Sequence, residues 1–224
     1  KRQLIKTPDL REVDIWEEKK SLVFEKEVLG MYVSGHPLLE HSEDLEEFTT
    51  VDFSDSLFLK KNDVVIVGGM ITKITKKYDR RNRAMAFFEM DCIGGHIEVI
   101  AFSDCYGQYE SLVEEDSVIF VEGKMADDTN FADLKLMADT IVSVENAREY
   151  FSRKLIINLT SQNISSDEIE DLYEFARKYP GECSLIFHLP NPNTQIPKPI
   201  SVLAHNIKVS TNKIFIKQLR EKYG

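Results

Sequence analysis

The feature that most constrains this chain is a long β-branched run, Asp63 to Lys77, with two adjacent glycines, Gly68 and Gly69, in its interior. Glycine inside a strand pattern marks a bulge or a sharp bend of the sheet, because it alone lets the backbone turn where a Cβ would collide. A strand that long and that bent suits a small barrel, whose first strand must pair on both sides. The sequence after it keeps strand grammar. Tyr78 to Arg83 is a polar break, Ala84 to Asp91 a second strand, Gly94 and Gly95 a turn, and His96 to Phe102 a third strand. Ser103 to Val113 has helical spacing, with Tyr106, Tyr109, Leu112 and Val113 on one face and Ser103 or Asp104 as its cap. Asp116 to Met125 and Leu134 to Val144 read as strands four and five.

Five strands with a helix between the third and fourth is the order of the OB-fold. In that partly open barrel, strands two and three and the 1–2 and 4–5 loops bind oligonucleotides. The flanks differ in pattern. Asp14 to Ser34 is rich in helix formers and ends at Gly35 and Pro37; His41 to Phe48 is an acidic stretch that reads as a solvated helix face. Beyond Arg153, Lys154 to Leu159 reads as a strand. Ser165 with Glu168 forms a capping-box pair ahead of a helix running to Tyr179 and stopped by Pro180 and Gly181. Cys183 to Leu189 is a strand, Asn191 to Pro199 a proline-rich turn, and Ile200 to Val209 one strand or two. A last helix from near Ser210 places Phe215, Ile216, Leu219 and Tyr223 on one side. The expected architecture is multi-domain: a helical linker region at 1–60, an all-β OB barrel with a short helix at 61–147, and a small α+β domain at 148–224.

Charge points to where a ligand would sit. The 224 residues carry a net charge of −10, but between Lys60 and Arg83 eight basic residues face only Asp63 and Asp79, a local +6 that leaves −16 elsewhere. A basic stripe on an acidic body is the footprint of a phosphate-binding surface. Single-strand binders combine cations that track phosphates with aromatic faces on which bases stack, and the 1–2 loop with the following strand supplies both. The expected nucleic-acid-binding residues are Lys73, Lys76, Lys77, Tyr78, Arg80, Arg81, Arg83, Phe88 and Lys124. Strand periodicity allows only one of Phe87 and Phe88 to face a ligand; the other belongs to the core. The 4–5 loop, with Asp127, Asp128 and Asp133, repels phosphate, so contact is expected chiefly through the 1–2 loop.

Other chemistry finds no footing. Asp52 and Asp55, or Asp127 and Asp128, lack the converging Lys and His constellation of metal-assisted phosphoryl transfer, and the five histidines are scattered. No phosphate-binding glycine loop is present, and the three cysteines form neither a disulfide framework nor a zinc pattern, so they read as reduced thiols. No apolar run reaches the roughly 20 residues of a membrane span. We expect no catalytic residues, no metal and no cofactor in this chain, no membrane partner, and a cytoplasmic location. Leu57-Phe58 after Ser54 reads as an apolar anchor rather than a clamp-docking peptide, because Gln is absent from its defining place.

The string Glu25 to Leu38, EKEVLGMYVSGHPL, resembles the stretch joining the fingers region to the OB domain in the alpha subunit family of bacterial DNA polymerase III. Ala84-Met85-Ala86-Phe87, Glu98-Val99 with Phe102, and Pro180-Gly181-Glu182-Cys183 extend the resemblance from about Trp16 to Gly224. It implies a C-terminal fragment of a replicative, magnesium-using DNA polymerase whose amino-terminal phosphoesterase-like, palm, thumb and fingers regions lie outside this chain. It further implies an OB domain near single-stranded template DNA, a last domain that docks the clamp-loader tau subunit, and a sliding-clamp peptide upstream of Trp16. Two other readings stand beside it: a protein-interaction scaffold without nucleic-acid contact, and an RNA-binding OB domain.

Overall fold

The structure, a computed structural model, describes residues 18–29, 32, 35–51, 53, 59–126, 135–160, 165–191 and 198–223. Expectations that fall on Trp16, Asp52, Ser54, Asp55, Leu57, Phe58, Asp127, Asp128, Asp133 and the turn at 192–197 lie outside the described residues. The chain divides into two units, 1–41 and 42–224. The first contains helix α1 (Glu18–Leu29) and a 3-10 turn (Pro37–His41), where the His36 imidazole accepts a hydrogen bond from the Leu38 N–H at 3.2 Å.

The second unit opens with α2 (Ser42–Phe48) and then builds a closed barrel from β1 (Val64–Tyr78), β2 (Ala84–Cys92), β3 (Gly95–Ala101), β4 (Val118–Met125) and β5 (Lys135–Ser143). The order around the barrel is β1-β2-β3-β5-β4, antiparallel except for the parallel β3–β5 pair. Helix α3 (Ser103–Tyr109) lies between β3 and β4. This is the expected OB-fold. The long first strand does what its length requires: its first half pairs with β4 and its second with β2, and Gly69 is shared, opposite both Cys92 and Ile119. A Cβ at Gly69 would stand 2.4 Å from the Asp91 carbonyl oxygen, so the corner admits only glycine.

The bulge itself is not at the glycines. The β1–β2 register shifts between Ile71 and Lys73, where Thr72 is the extra residue. One extra residue reverses the alternation of the strand. Ile74 therefore packs on the core beside Ile71, while Lys73, Thr75 and Lys77 share the outer face.

Inside the barrel lie Val65, Val67, Ile71, Phe88, Met90, Ile97, Val99, Ile119, Val121, Leu136 and Ile141, with Tyr106 of α3 closing one end. Outside, among the described residues, helices cover one side of the barrel. Phe120 points away from the interior and is sealed beneath Phe48 of α2 and Phe151 of α4 (Val144–Phe151), with ring centroids 6.1 and 5.7 Å away. Helix α4 falls where the sequence reading placed no element, although Val144, Ala147 and Phe151 lie at helical spacing. One expectation is corrected here. The acidic stretch at 41–48 is not merely a solvated face: Asp44 is buried and pairs with Arg148 of α4, because the helix lies against the barrel flank. Among the described residues, the outward side chains of β2, β3 and β5 are partly or fully accessible, Glu89, Asp91, His96 and Asp139 being exposed.

After α4 come β6 (Lys154–Asn158), α5 (Ser166–Ala176), β7 (Pro180–Leu189), β8 (Ile200–Val209) and α6 (Lys213–Tyr223). The three strands form one open sheet in the order β6-β7-β8. The Ser165–Glu168 capping box forms as expected, and Ile200–Val209 is one strand. Asn212 caps α6, its Oδ1 accepting from the Phe215 N–H at 2.8 Å. The core of this part is Ile157, Leu172, Cys183, Leu185, Phe187, Val209 and Phe215, with Phe175 and Tyr179 stacked nearby.

Candidate nucleic-acid interface

The hairpin joining β1 to β2 is held by a carboxylate. Asp79 accepts hydrogen bonds from the backbone N–H groups of Arg81 and Arg83 at 2.8 and 2.9 Å, from Arg83 Nε at 2.9 Å and from the Ser103 hydroxyl at 3.0 Å. The Asn82 N–H closes the turn onto the Asp79 carbonyl at 2.9 Å, and Asn82 takes the left-handed conformation (φ 58°) that asparagine tolerates. These bonds favour the ionised carboxylate, the Arg83 N–H foremost, and hold Asp79 down to a pKa of about 2. Ser103 was expected as a candidate helix cap. Its hydroxyl instead ties the start of α3 to this hairpin, and the residue at the cap position is Phe102, without a side-chain cap bond.

This geometry sorts the candidate residues. Arg80 and Arg81 occupy the exposed tip and make no ion pair among the described residues. Tyr78 beside them is 69% exposed. Arg83 is a brace: it bonds Asp79 and also Asp104 of α3, which hold its guanidinium above its ordinary pKa. Lys76 leaves the tip to pair with Glu110 at 3.4 Å, near the Tyr106 ring, and its ammonium is raised chiefly by Tyr106. Lys77 stands over the Phe87 ring at 4.5 Å, and Lys73 pairs with Glu89 at 3.2 Å.

Phe88 is the correction among the site residues. It is 1% exposed inside the barrel and cannot stack on a base. Phe87 is the outward residue. The signal was in the strand itself: Phe87 shares its phase with Glu89 and Asp91, which a small barrel cannot bury, whereas Phe88 shares phase with Ala86 and Met90.

Register then reveals a band that residue types alone did not. Thr75 lies opposite Phe87, Phe87 opposite Ile100, Ile100 opposite Met137 and Met137 opposite Lys124. These residues run side by side across β1, β2, β3, β5 and β4, none of them buried. With neighbouring strands about 4.8 Å apart, Lys124 lies roughly 14 Å along the band from Phe87. Lys124 also approaches Asp139 at 3.8 Å. On the hairpin side, Phe102 continues the outward phase of β3 with extended backbone and is 50% exposed. Cations thus stand at both ends of a partly apolar, aromatic strip.

Residues 65–144 match the OB-fold nucleic acid binding domain family. The chain is 25% identical over 206 residues, 92% of its length, to DNA polymerase III subunit alpha of Pseudomonas fluorescens. It is 27% identical over 158 residues to that of Escherichia coli K12 and 31% identical over 160 residues to that of Buchnera aphidicola, in each case over 70% of this chain. It spans 17% of the first of these relatives and 14% of the other two. Among solved structures, the mitochondrial single-stranded DNA binding protein of S. cerevisiae covers 38% of this chain and 96% of its own length, at 13% identity and a TM-score of 0.31. The resemblance seen in the GHPL string thus extends along most of the chain: it is similar to DNA polymerase III subunit alpha, with an OB-fold domain of the nucleic-acid-binding family at its centre.

Proposed function

We propose that this chain is the C-terminal part of a replicative DNA polymerase and that its barrel holds single-stranded template DNA. The observation that carries the reading is the conjunction of Arg80 and Arg81 on a braced, exposed tip with an outward Phe87 under Lys77. Guanidinium groups follow phosphates, and the aromatic face accepts a base of any identity. The band from Phe87 through Ile100 and Met137 to Lys124 gives the strand a path across the barrel. Catalysis, with its magnesium, belongs in this reading to the rest of the parent polymerase. The proposed domain layout is 1–60, 61–147 and 148–224. The last domain docks the clamp-loader tau subunit; its small open sheet, with Ile200, Val202 and Leu203 of β8 all more than 40% exposed, supports a docking role.

The test is fluorescence anisotropy of a labelled single-stranded oligonucleotide titrated with the chain at several salt concentrations. Arg80→Glu/Arg81→Glu should reduce affinity at least tenfold at low salt and flatten the salt dependence. Arg83 is left intact because it holds the hairpin. No binding by the wild-type chain, even at low salt, sinks the reading. A scaffold reading has one observation in its favour: the cations Lys73 and Lys76 are already paired with carboxylates.

A further inference from the structure

One register step from the Phe87 band, on the side away from the hairpin tip, runs a second row. Lys73 of β1 lies opposite Glu89 of β2, Glu89 opposite Glu98 of β3, and Glu98 opposite Lys135 of β5. The two outer pairs are ion pairs, at 3.2 Å for Lys73–Glu89 and 3.5 Å for Lys135–Glu98. At the centre two carboxylates face each other across adjacent strands, an arrangement that costs stability unless cations flank it. Both flanking cations are present, and the Thr72 bulge is what turns Lys73 outward to serve as one of them. A row this regular across four strands neutralises lysines that would otherwise track phosphate, on the face the OB-fold uses for binding.

We infer that Glu89 and Glu98, by pairing with Lys73 and Lys135, form a charge-neutralised rail that confines a bound single strand to the Phe87 band and the hairpin side of the barrel. This rests on the proposed single-strand binding. The rail lies roughly 7 Å from the band, two residues along β2. A phosphate drifting across it meets lysines already paired with carboxylates, so it gains less there than at the cations of the hairpin. The strand therefore keeps its phosphates toward Lys77, Arg80 and Arg81, and Lys73 contributes nothing to binding. Glu89 and Glu98 act as positioning residues for the ligand's path.

The salt dependence of affinity reads this directly, because each phosphate neutralised on a single strand adds about −0.7 to the slope of log K against log salt. Lys77, Arg80 and Arg81 alone give a wild-type slope of roughly −2, and Lys124 at the far end of the band takes it to roughly −3. The variant Glu89→Gln/Glu98→Gln releases Lys73 to the strand, so its slope should steepen by about 0.7 or more. Its affinity for oligothymidylate at low salt should rise several-fold. Glu114→Gln/Glu115→Gln, which makes the same charge change on the exposed α3–β4 connection, controls for net charge and should leave the slope unchanged. A rail variant that binds with the wild-type slope, or a control variant that steepens equally, overturns the rail and leaves single-strand binding standing. Absence of binding by the wild-type chain overturns both.

Discussion

The barrel and the last domain solve the problem of sheet edges in opposite ways. In the barrel every strand is paired on both sides, because β1 bends at Gly69 far enough to meet both β2 and β4. The last sheet stays open, with β6 and β8 as edges and β8 exposed along nearly its whole length. A closed sheet keeps its core within itself and frees its outer face to carry a band, a rail and a braced hairpin. An open sheet of three strands must cover one face with α5 and α6 and leaves the other, with Ile156 and Leu203, to solvent or a partner. The difference teaches where function can be sought: on side chains across a closed face in one region, on an uncovered sheet in the other.

The comparison is sharpened most strongly by core truncations. Phe88→Ala should cost the barrel about 3–5 kcal/mol, measured by urea unfolding, and Phe215→Ala a similar amount in the last domain. Only the first should abolish oligonucleotide binding; loss of binding in Phe215→Ala would mean the two regions do not act independently. Arg148→Ala should come next, at about 3 kcal/mol, since it strands the buried Asp44 carboxylate. Arg148 is where the regions meet: its carbonyl accepts from Thr211 at 2.9 Å, and Glu43 bonds Arg220 of α6 at 3.2 Å. Phe87→Ala, next door to Phe88, should leave stability within about 0.5 kcal/mol and weaken DNA binding by about 1–3 kcal/mol.

Smaller effects follow. Asp79 has a folded pKa near 2, below the ordinary carboxylate value, so its support for the hairpin is present above the unfolded pKa and is lost as pH falls through about 2. NMR of the Arg81 and Arg83 amides should show the hairpin unchanged from pH 7 to 4 and altered only below about 3. Smallest of all, Glu182→Gln removes a solvent-exposed pair with Lys208 and should shift stability by less than about 0.5 kcal/mol.

Much of the fold was legible because local pattern and tertiary outcome agree. The five strands, the helix after the third, the Ser165 capping box and the apolar face of the last helix all follow from β-branching, turn residues and helical spacing. What escaped the sequence was set by contacts between distant segments. The phase of β2 is the exception, since Glu89 and Asp91 mark it locally even though Phe87 and Phe88 are both apolar. The Thr72 bulge, which decides that Lys73 faces outward, is a property of pairing with β2 and has no local signature. Asp44 looked like any acidic helix residue until Arg148, far along the chain, supplied its partner. At the site, residue types identified the basic hairpin, but only geometry separated the displayed Arg80 and Arg81 from the bracing Arg83. The band from Phe87 to Lys124 needed the register of five strands.

The most direct test of the account is backbone amide mapping by NMR as a short oligothymidylate is titrated into the chain. Shifts concentrated on Lys77, Arg80, Arg81, Phe87, Ile100, Met137 and Lys124, with β8 unmoved, are the predicted result. Shifts confined to β6, β7 and β8, or none anywhere at saturating oligonucleotide, would contradict it.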